Sequence, residues 1–419
     1  MVAYDTWKYS CVDIIYMRGW ERNMYSEKDL VRIGKRENNK KRNYLVVNRL
    51  QGKHIPVSPS EALKMFDELA DIIRESYPGE RLLLIGFAET ATAIGAEVAV
   101  KLGTHYIQTT REIVEDVNYL FFSEAHSHAT EQKLVKEDID EYIGKVDRIV
   151  FIEDEVTTGN TILNIINIME DLYVDLERKK VSKDSRIEDN EAIRKIKFSV
   201  ASLLNGMNDK HLQVYQKRGI NVHYLVKINN EKFGEIADSY NTDGEYVPTD
   251  TTKRFEIKQF DVAGWINARR VVDANEYEKQ CQKLWEEIQK KIDFDDGSSV
   301  LVVGTEEFMY PALFVGACIE KLGCRVKSHS TTRSPIEVCR DKILKDGFNY
   351  ENKNTYPVHV RYELCSLYDD NRKTFIYDID SYDKVLILTD SHYEGDTGIN
   401  SLVNALKLRN DDIYLIRWC

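Results

Sequence analysis

Short apolar runs recur along the chain, each followed by a turn and then by apolar positions at helical spacing. Arg81-Leu82-Leu83-Leu84-Ile85 and Ile149-Val150-Phe151-Ile152 have the length and apolarity of short buried parallel strands. His105-Tyr106-Ile107-Gln108, Phe198 to Leu204 and Val222 to Val226 read as further strands. Between them lie helix patterns. Leu63, Phe66, Ala70 and Ile73 share one face, as do Ala93, Val98, Ala99 and Leu102, and then Ile162, Ile165, Ile166 and Met169. Ser58 is a good N-cap, Pro59 suits the first helical position, and Glu61 completes a capping box. Strands alternating with helices predict an α/β fold built on a parallel sheet.

The second half repeats this pattern in the same order. Val272-Asp273-Ala274-Asn275-Glu276 matches Val57-Ser58-Pro59-Ser60-Glu61, and Val300-Leu301-Val302-Val303-Gly304 matches Leu82-Leu83-Leu84-Ile85-Gly86. Thr331-Thr332-Arg333 matches Thr109-Thr110-Arg111, and Val385 to Thr397 lies over Ile149 to Thr161 without a gap. The offset between matched positions rises steadily from 215 to 236. The second half is therefore expected to share the fold of the first, with the same strand order.

The stretch from Ile149 to Thr161 carries the chemistry. Its strand is expected to end at the acids Glu153 and Asp154. The small-residue turn Val156-Thr157-Thr158-Gly159-Asn160-Thr161 then leads into a helix. Free backbone N–H groups and the positive end of the helix dipole favour an anion there. Threonine hydroxyls add donors, and Gly159 permits close backbone approach. The two acids would repel a phosphate, so sugar hydroxyls or Mg²⁺ suit them better. The alternative is an ordinary strand–turn–helix joint with a solvated acidic tip.

This thirteen-residue pattern resembles the type I phosphoribosyltransferases. The resemblance implies that Glu153 and Asp154 hold the ribose hydroxyls of phosphoribosyl pyrophosphate and that Val156 to Thr161 hold its 5′-phosphate. It assigns the pyrophosphate to the loop Phe87, Ala88, Glu89 and Thr90. Glu89 is awkward beside a pyrophosphate unless Mg²⁺ bridges them. Mg²⁺ is the implied cofactor, held by Asp154 or through ligand phosphates. The polar segment from Glu112 to Asp140 is long for a connection, and matches the position of a mobile lid. Arg111, His126, His128 and Lys133 are its candidate contacts with pyrophosphate or acceptor. His126 and His128 also raise a zinc site, but no Cys lies nearby. Lys53 and His54 either reach the site or lie at the surface.

Thr332-Arg333-Ser334-Pro335 gives the second half a resemblance to the TRSP domain, which follows a particular bacterial phosphoribosyltransferase domain in tellurite-resistance and stress-response gene neighbourhoods. The fold implied is a parallel-sheet type I phosphoribosyltransferase followed by a second, degenerate phosphoribosyltransferase-like α/β domain. The implied activity moves a phosphoribosyl group between phosphoribosyl pyrophosphate and a nitrogenous, base-like acceptor, in synthesis of a nucleotide- or nucleoside-like metabolite. Purine-type members often carry Asp at the position of Thr157, so an orotate-like or unusual acceptor is favoured. The alternative is a regulator that senses the donor without chemistry. In the second half Thr389 replaces the first acid and leaves Asp390, while His392, Tyr393 and Glu394 replace the small turn residues. Bulky side chains and the charge of Glu394 argue against donor phosphate binding there, and Arg333 is left as a candidate for an anion or acceptor site.

Composition adds bounds. The 419 residues suffice for two or three domains, read here as 1–245, a linker at 246–270 and 271–419. A net charge of −12 without a long basic run argues against nucleic acid as a partner. Small-molecule substrates remain, with a homodimer as a further expectation. The 7 Cys are irregularly spaced, which suggests free thiols in a reducing compartment. No signal-peptide pattern and no membrane-length apolar run are seen, so a cytoplasmic location is expected.

Overall fold

The computed structural model of the chain describes residues 24–37, 39, 42–122, 132–183, 196–340 and 356–419. In order, its elements are α1 (Glu27–Leu30), β1 (Val31–Lys35), β2 (Tyr44–Asn48), α2 (Pro59–Ser76), β3 (Leu82–Gly86), α3 (Thr92–Leu102) and β4 (His105–Gln108). Next come β5 (Tyr119–Phe122), β6 (Gln132–Val135), α4 (Lys136–Tyr142), β7 (Arg148–Val156), α5 (Asn160–Lys183), β8 (Lys197–Asn205), α6 (Asp209–Lys217), β9 (Asn221–Lys227) and α7 (Phe233–Ser239). The rest are β10 (Glu245–Pro248), β11 (Lys258–Val262), β12 (Val272–Asp273), α8 (Ala274–Gln289), β13 (Ser299–Gly304), α9 (Tyr310–Glu320), β14 (Arg325–Ser330), β15 (Val360–Cys365), β16 (Lys373–Tyr377), β17 (Lys384–Thr389), α10 (Thr397–Lys407) and β18 (Ile413–Trp418).

Two parallel sheets organise the molecule. The first has the order β12-β4-β3-β7-β8-β9, with only β12 antiparallel. The second has the order β11-β18-β17-β13-β14, parallel throughout. The series β4-β3-β7-β8 thus recurs as β14-β13-β17-β18, with each strand matched to its repeat partner. The hairpins β5–β6 and β15–β16 fall between the same pairs of strands and are both antiparallel. The strand order expected from the repeat is the one observed. The sheets differ at both edges: β12 lies beyond β4 while β14 ends the second sheet among the described residues, and β9 follows β8 in the chain but β11 precedes its whole sheet.

Local signals explain the starts of the helices. The Ser58 side chain accepts from the Glu61 N–H at 3.4 Å, and Asp273 accepts from Glu276 at 3.0 Å, so both matched helices are capped alike. Central strands are apolar on both faces because helices cover both: Leu83, Leu84, Ile85, Val150, Phe151 and Ile152 are all buried. One apolar core runs from these strands through α2, α3, α8 and α9 into the second sheet, so the halves share it.

Three features differ from the pattern reading. β7 does not end at the acids but continues through Glu155 to Val156. The stretch 246–270, expected as a linker, supplies most of β10 and all of β11, which pair with β15 and β18 of the second half. β1 and β2 pair antiparallel, and this pair joins the TRSP segment where Arg36 bridges Ile336 and the Glu37 N–H meets the Pro335 carbonyl at 3.1 Å. Among the described residues, no helix is long and apolar enough to cross a membrane.

Candidate functional site

The loops that carry the candidate residues follow the C-terminal ends of β3, β4 and β7, where a parallel α/β sheet places its ligand crevice. The loop Phe87–Thr90 leaves β3 tethered to its neighbours. The Phe87 N–H donates to the Ile152 carbonyl at 3.1 Å, and the Ala88 N–H donates to Thr109 Oγ1 at 2.8 Å. Phe87 itself packs edge-on against Phe122 and beside Phe151. The Ala88–Glu89 peptide is cis.

Thr90 links this loop to the acids. Its hydroxyl donates to Asp154 Oδ1 at 2.8 Å, and its carbonyl accepts from Gln51 Nε2 at 2.6 Å. Burial raises the Asp154 pKa above its ordinary value, and the Thr90 hydroxyl works against that rise. Because β7 stays extended, its side chains alternate between faces. Asp154 therefore faces the loop, and Glu153 and Glu155 face the other way. Glu155 takes both its oxygens to Arg42 Nη2, at 2.8 and 2.6 Å. Glu153 lies toward Tyr215. Burial raises that phenol's pKa, Arg218 lowers it, and Glu153 adds to the rise.

The turn Val156–Thr161 heads α5 directly, since the helix begins at Asn160. Gly159 has a φ of +73°, and a Cβ there would collide with the Tyr215 ring and hydroxyl. Tyr215 occupies that space and donates to the Gly159 carbonyl at 2.6 Å. Thr157 and Thr158 are half-buried, while Asn160 is exposed. A small-residue turn with a left-handed glycine ahead of a long helix is a geometry that receives anions.

Glu89 turns toward the second half. One carboxylate oxygen meets the Lys53 ammonium, and the other accepts from the Arg333 N–H at 3.2 Å. Burial would raise its pKa, but Lys53 and then Arg333 overcome burial and hold it at about 2. Lys53 is fully buried and also donates to the carbonyls of Glu306 at 2.6 Å and Thr331 at 2.9 Å. His54 beside it is buried, and burial together with Lys53 pushes its pKa down to about 3. Of the two readings for Lys53 and His54, the surface one does not hold.

The lid candidates separate. The Arg111 N–H donates to Glu307 Oε1 at 2.8 Å, and burial lowers the guanidinium pKa despite nearby Glu89. Lys133 pairs through its backbone with Thr110, and its ammonium lies 4.5 Å over the Tyr119 ring. His126 and His128 lie outside the described residues. In the second half, Arg333 Nε donates to Glu306 at 2.6 Å and its Nη2 pairs with Glu112. Asp390 accepts from Arg269 Nη1 at 2.5 Å and from the Tyr368 hydroxyl at 2.6 Å.

Residues 30–223 match the family model described as "Phosphoribosyl transferase", and residues 268–406 match the one described as "TRSP domain C terminus to PRTase_2". The chain belongs to this phosphoribosyl transferase–TRSP family. Solved structures to which it is similar include an adenine phosphoribosyltransferase from Rhodothermus marinus, at 14% identity over 51% of this chain and 99% of that one, with a TM-score of 0.33. Another is the adenine phosphoribosyl transferase of Trypanosoma brucei in complex with AMP, pyrophosphate and ribose-5-phosphate, at 14% identity over 48% and 77%, with a TM-score of 0.31. A third is a hypoxanthine phosphoribosyltransferase from Staphylococcus aureus, at 12% identity over 44% and 83%, with a TM-score of 0.24. A search of curated proteins found no match. The two family segments end and begin on either side of β10 and β11, and the TRSP motif falls in the loop after β14.

Pattern reasoning did not find Arg42, Glu155, Gln51 or Tyr215. No local signal marks Arg42 as the partner of Glu155, or Tyr215 as the residue that fills the space beside Gly159.

Proposed function

We propose that the first half transfers a phosphoribosyl group between phosphoribosyl pyrophosphate and a nitrogenous, base-like acceptor. The observation that carries this reading is the Thr90–Asp154 hydrogen bond, which joins the loop suited to pyrophosphate to one of the two acids suited to ribose, on the strand that runs into the anion turn. Transfer breaks the bond from C1 of the ribose to the pyrophosphate oxygen and forms one from C1 to the acceptor nitrogen. The electron pair leaves with pyrophosphate, the ribosyl carbon becomes cationic between the two events, and the proton of the acceptor nitrogen passes to solvent. Ionised Asp154, preorganised by Thr90, would stabilise that cation and orient the hydroxyls, with Glu153 as its neighbour. The turn Val156–Thr161 would anchor the 5′-phosphate through backbone N–H groups and threonine hydroxyls.

Among the described residues, no group of three or more His, Cys, Asp or Glu is placed to hold a metal ion. Asp154 can offer one carboxylate oxygen, so Mg²⁺ would be held by Asp154 and mainly by the oxygens of the donor, as its preference for few protein ligands allows. Bound there, it would neutralise charge on the leaving pyrophosphate. Thr157 offers no carboxylate to an acceptor, which favours an orotate-like or unusual base over a purine. A screen of candidate bases that follows pyrophosphate release, run with the parent chain and Asp154→Asn, tests the reading. Release with at least one base, lost in the variant, is expected. A variant that turns over like the parent would overturn the site.

A further inference from the structure

The two halves meet through reciprocal contacts. Val57 and Val272 are matched repeat positions, each just before the cap of its half's first long helix. Val57 bridges antiparallel to Ser328 on the β14 edge, and Val272 pairs antiparallel with Tyr106 on the β4 edge. Ser328 and Tyr106 are themselves matched, at the same offset as Thr331 and Thr109. A second exchange lies at the strand ends. The Arg111 N–H donates to Glu307 at 2.8 Å, and its repeat partner, the Arg333 N–H, donates to Glu89 at 3.2 Å. Each half thus pins the other's β3- or β13-end loop by the same device, as two subunits related by a dyad do.

The symmetry fails where the chemistry would be. Near the position that matches Lys53 stands Arg269, which bonds Glu307 at 3.2 Å much as Lys53 bonds Glu89. Arg269 goes further and takes Asp390, the counterpart of Asp154, whose other oxygen is taken by Tyr368. Both residues are buried, and the matching turn carries the exposed bulky side chains of His392, Tyr393 and Glu394. The second site is closed by its own side chains, while Asp154 keeps part of its surface exposed beside Thr90. Across the interface, Arg111 Nε and Arg333 Nη1 are buried without a hydrogen-bond acceptor among the described residues, and Glu89 lies close to both arginines.

We propose that the second half is a tethered partner subunit that has given up its own donor site and, through Arg333, positions the Phe87–Thr90 loop of the first half for pyrophosphate. This rests on the donor reading above. It makes Arg333 a positioning residue and gives one donor site per chain.

Calorimetric titration of the full chain with Mg²⁺–phosphoribosyl pyrophosphate, and separately with ribose 5-phosphate, tests it. The parent should bind the donor with a stoichiometry of one per chain, a number that needs no variant. Arg333→Gln keeps the main-chain N–H bond to Glu89 but removes the buried guanidinium whose Nη1 has no acceptor among the described residues, and should weaken donor binding by about tenfold while leaving ribose 5-phosphate within about twofold. Arg333→Lys should restore part of that loss. A stoichiometry of two overturns the closed second site while leaving the donor reading intact. Equal weakening of both ligands, or unchanged donor binding in Arg333→Gln, overturns the positioning role. A parent that binds neither ligand overturns the donor reading and this inference with it.

Discussion

Removing Glu89 should destabilise the chain by breaking a buried ion pair at the interface between its halves. The Lys53 side chain is 0% exposed and that of Glu89 5%. The Glu89 carboxyl falls from an ordinary 4.5 to about 2, which corresponds to about 3 kcal/mol of interaction favouring the ionised form. Its partner pulls the other way, because burial lowers the Lys53 pKa in spite of Glu89, so the pair as a whole is worth less than that figure. Breaking the pair is another matter. Glu89→Gln leaves the ammonium buried against two carbonyls, and should cost about 3 kcal/mol by urea unfolding at pH 7. Lys53→Met should cost a similar amount, because Glu89 is then buried with Arg333 as its main support. The double variant Lys53→Met/Glu89→Leu removes both charges and should cost much less than the two single losses combined. The pH dependence has a fixed sign. A carboxyl with a depressed folded-state pKa contributes fully above the unfolded value of about 4.5 and loses that contribution as pH falls toward about 2. The parent should therefore weaken across that window more steeply than Glu89→Gln. Additive single losses, or Glu89→Gln within about 0.5 kcal/mol of the parent at pH 7, would refute the reasoning.

Gly159→Ala should destabilise the chain by about 1–3 kcal/mol in thermal or urea unfolding, since φ is +73° and the new Cβ meets Tyr215. Tyr215→Phe removes the bond to the Gly159 carbonyl and should cost about 1 kcal/mol by the same measurement. Because burial raises the Asp154 pKa, donor affinity should fall as pH drops through a value above the ordinary 3.8, as read by titration at several pH values. Thr90→Val removes the hydroxyl that opposes this rise, and should move the acid limb to higher pH. Arg42→Met leaves Glu155 buried without its guanidinium and should cost about 3 kcal/mol in unfolding free energy.

Periodicity and repetition made most of the architecture legible. Buried strands on both faces show as unbroken apolar runs, and caps such as Ser58 and Asp273 are local features that need no tertiary knowledge. The repeat ties the strand order of the second sheet to that of the first. What stayed hidden depends on contacts between residues far apart in sequence. β7 was expected to stop at the acids, yet it extends past them because Glu155 and Val156 continue the ladder with β8, while Thr90 donates to Asp154 and Arg42 to Glu155 across 64 and 113 residues. Lys53 had no signal to separate it from a surface lysine, since its partners include Glu306 and Thr331, more than 250 residues away. The edge strand β11 could not be placed by collinear matching, because it enters its sheet from the opposite end of the repeat to β9. The turn from Thr157 to Thr161 and the helix start within it were legible because glycine, threonine and the helical pattern are adjacent in the chain.

Equilibrium titration of Mg²⁺–phosphoribosyl pyrophosphate against the parent chain and Asp154→Asn, paired with pyrophosphate release, addresses the ribose-and-phosphate site most directly. Saturable binding by the parent, weakened by at least about tenfold in the variant with release lost, is the predicted result. Equal affinity and equal release in the two proteins would contradict it.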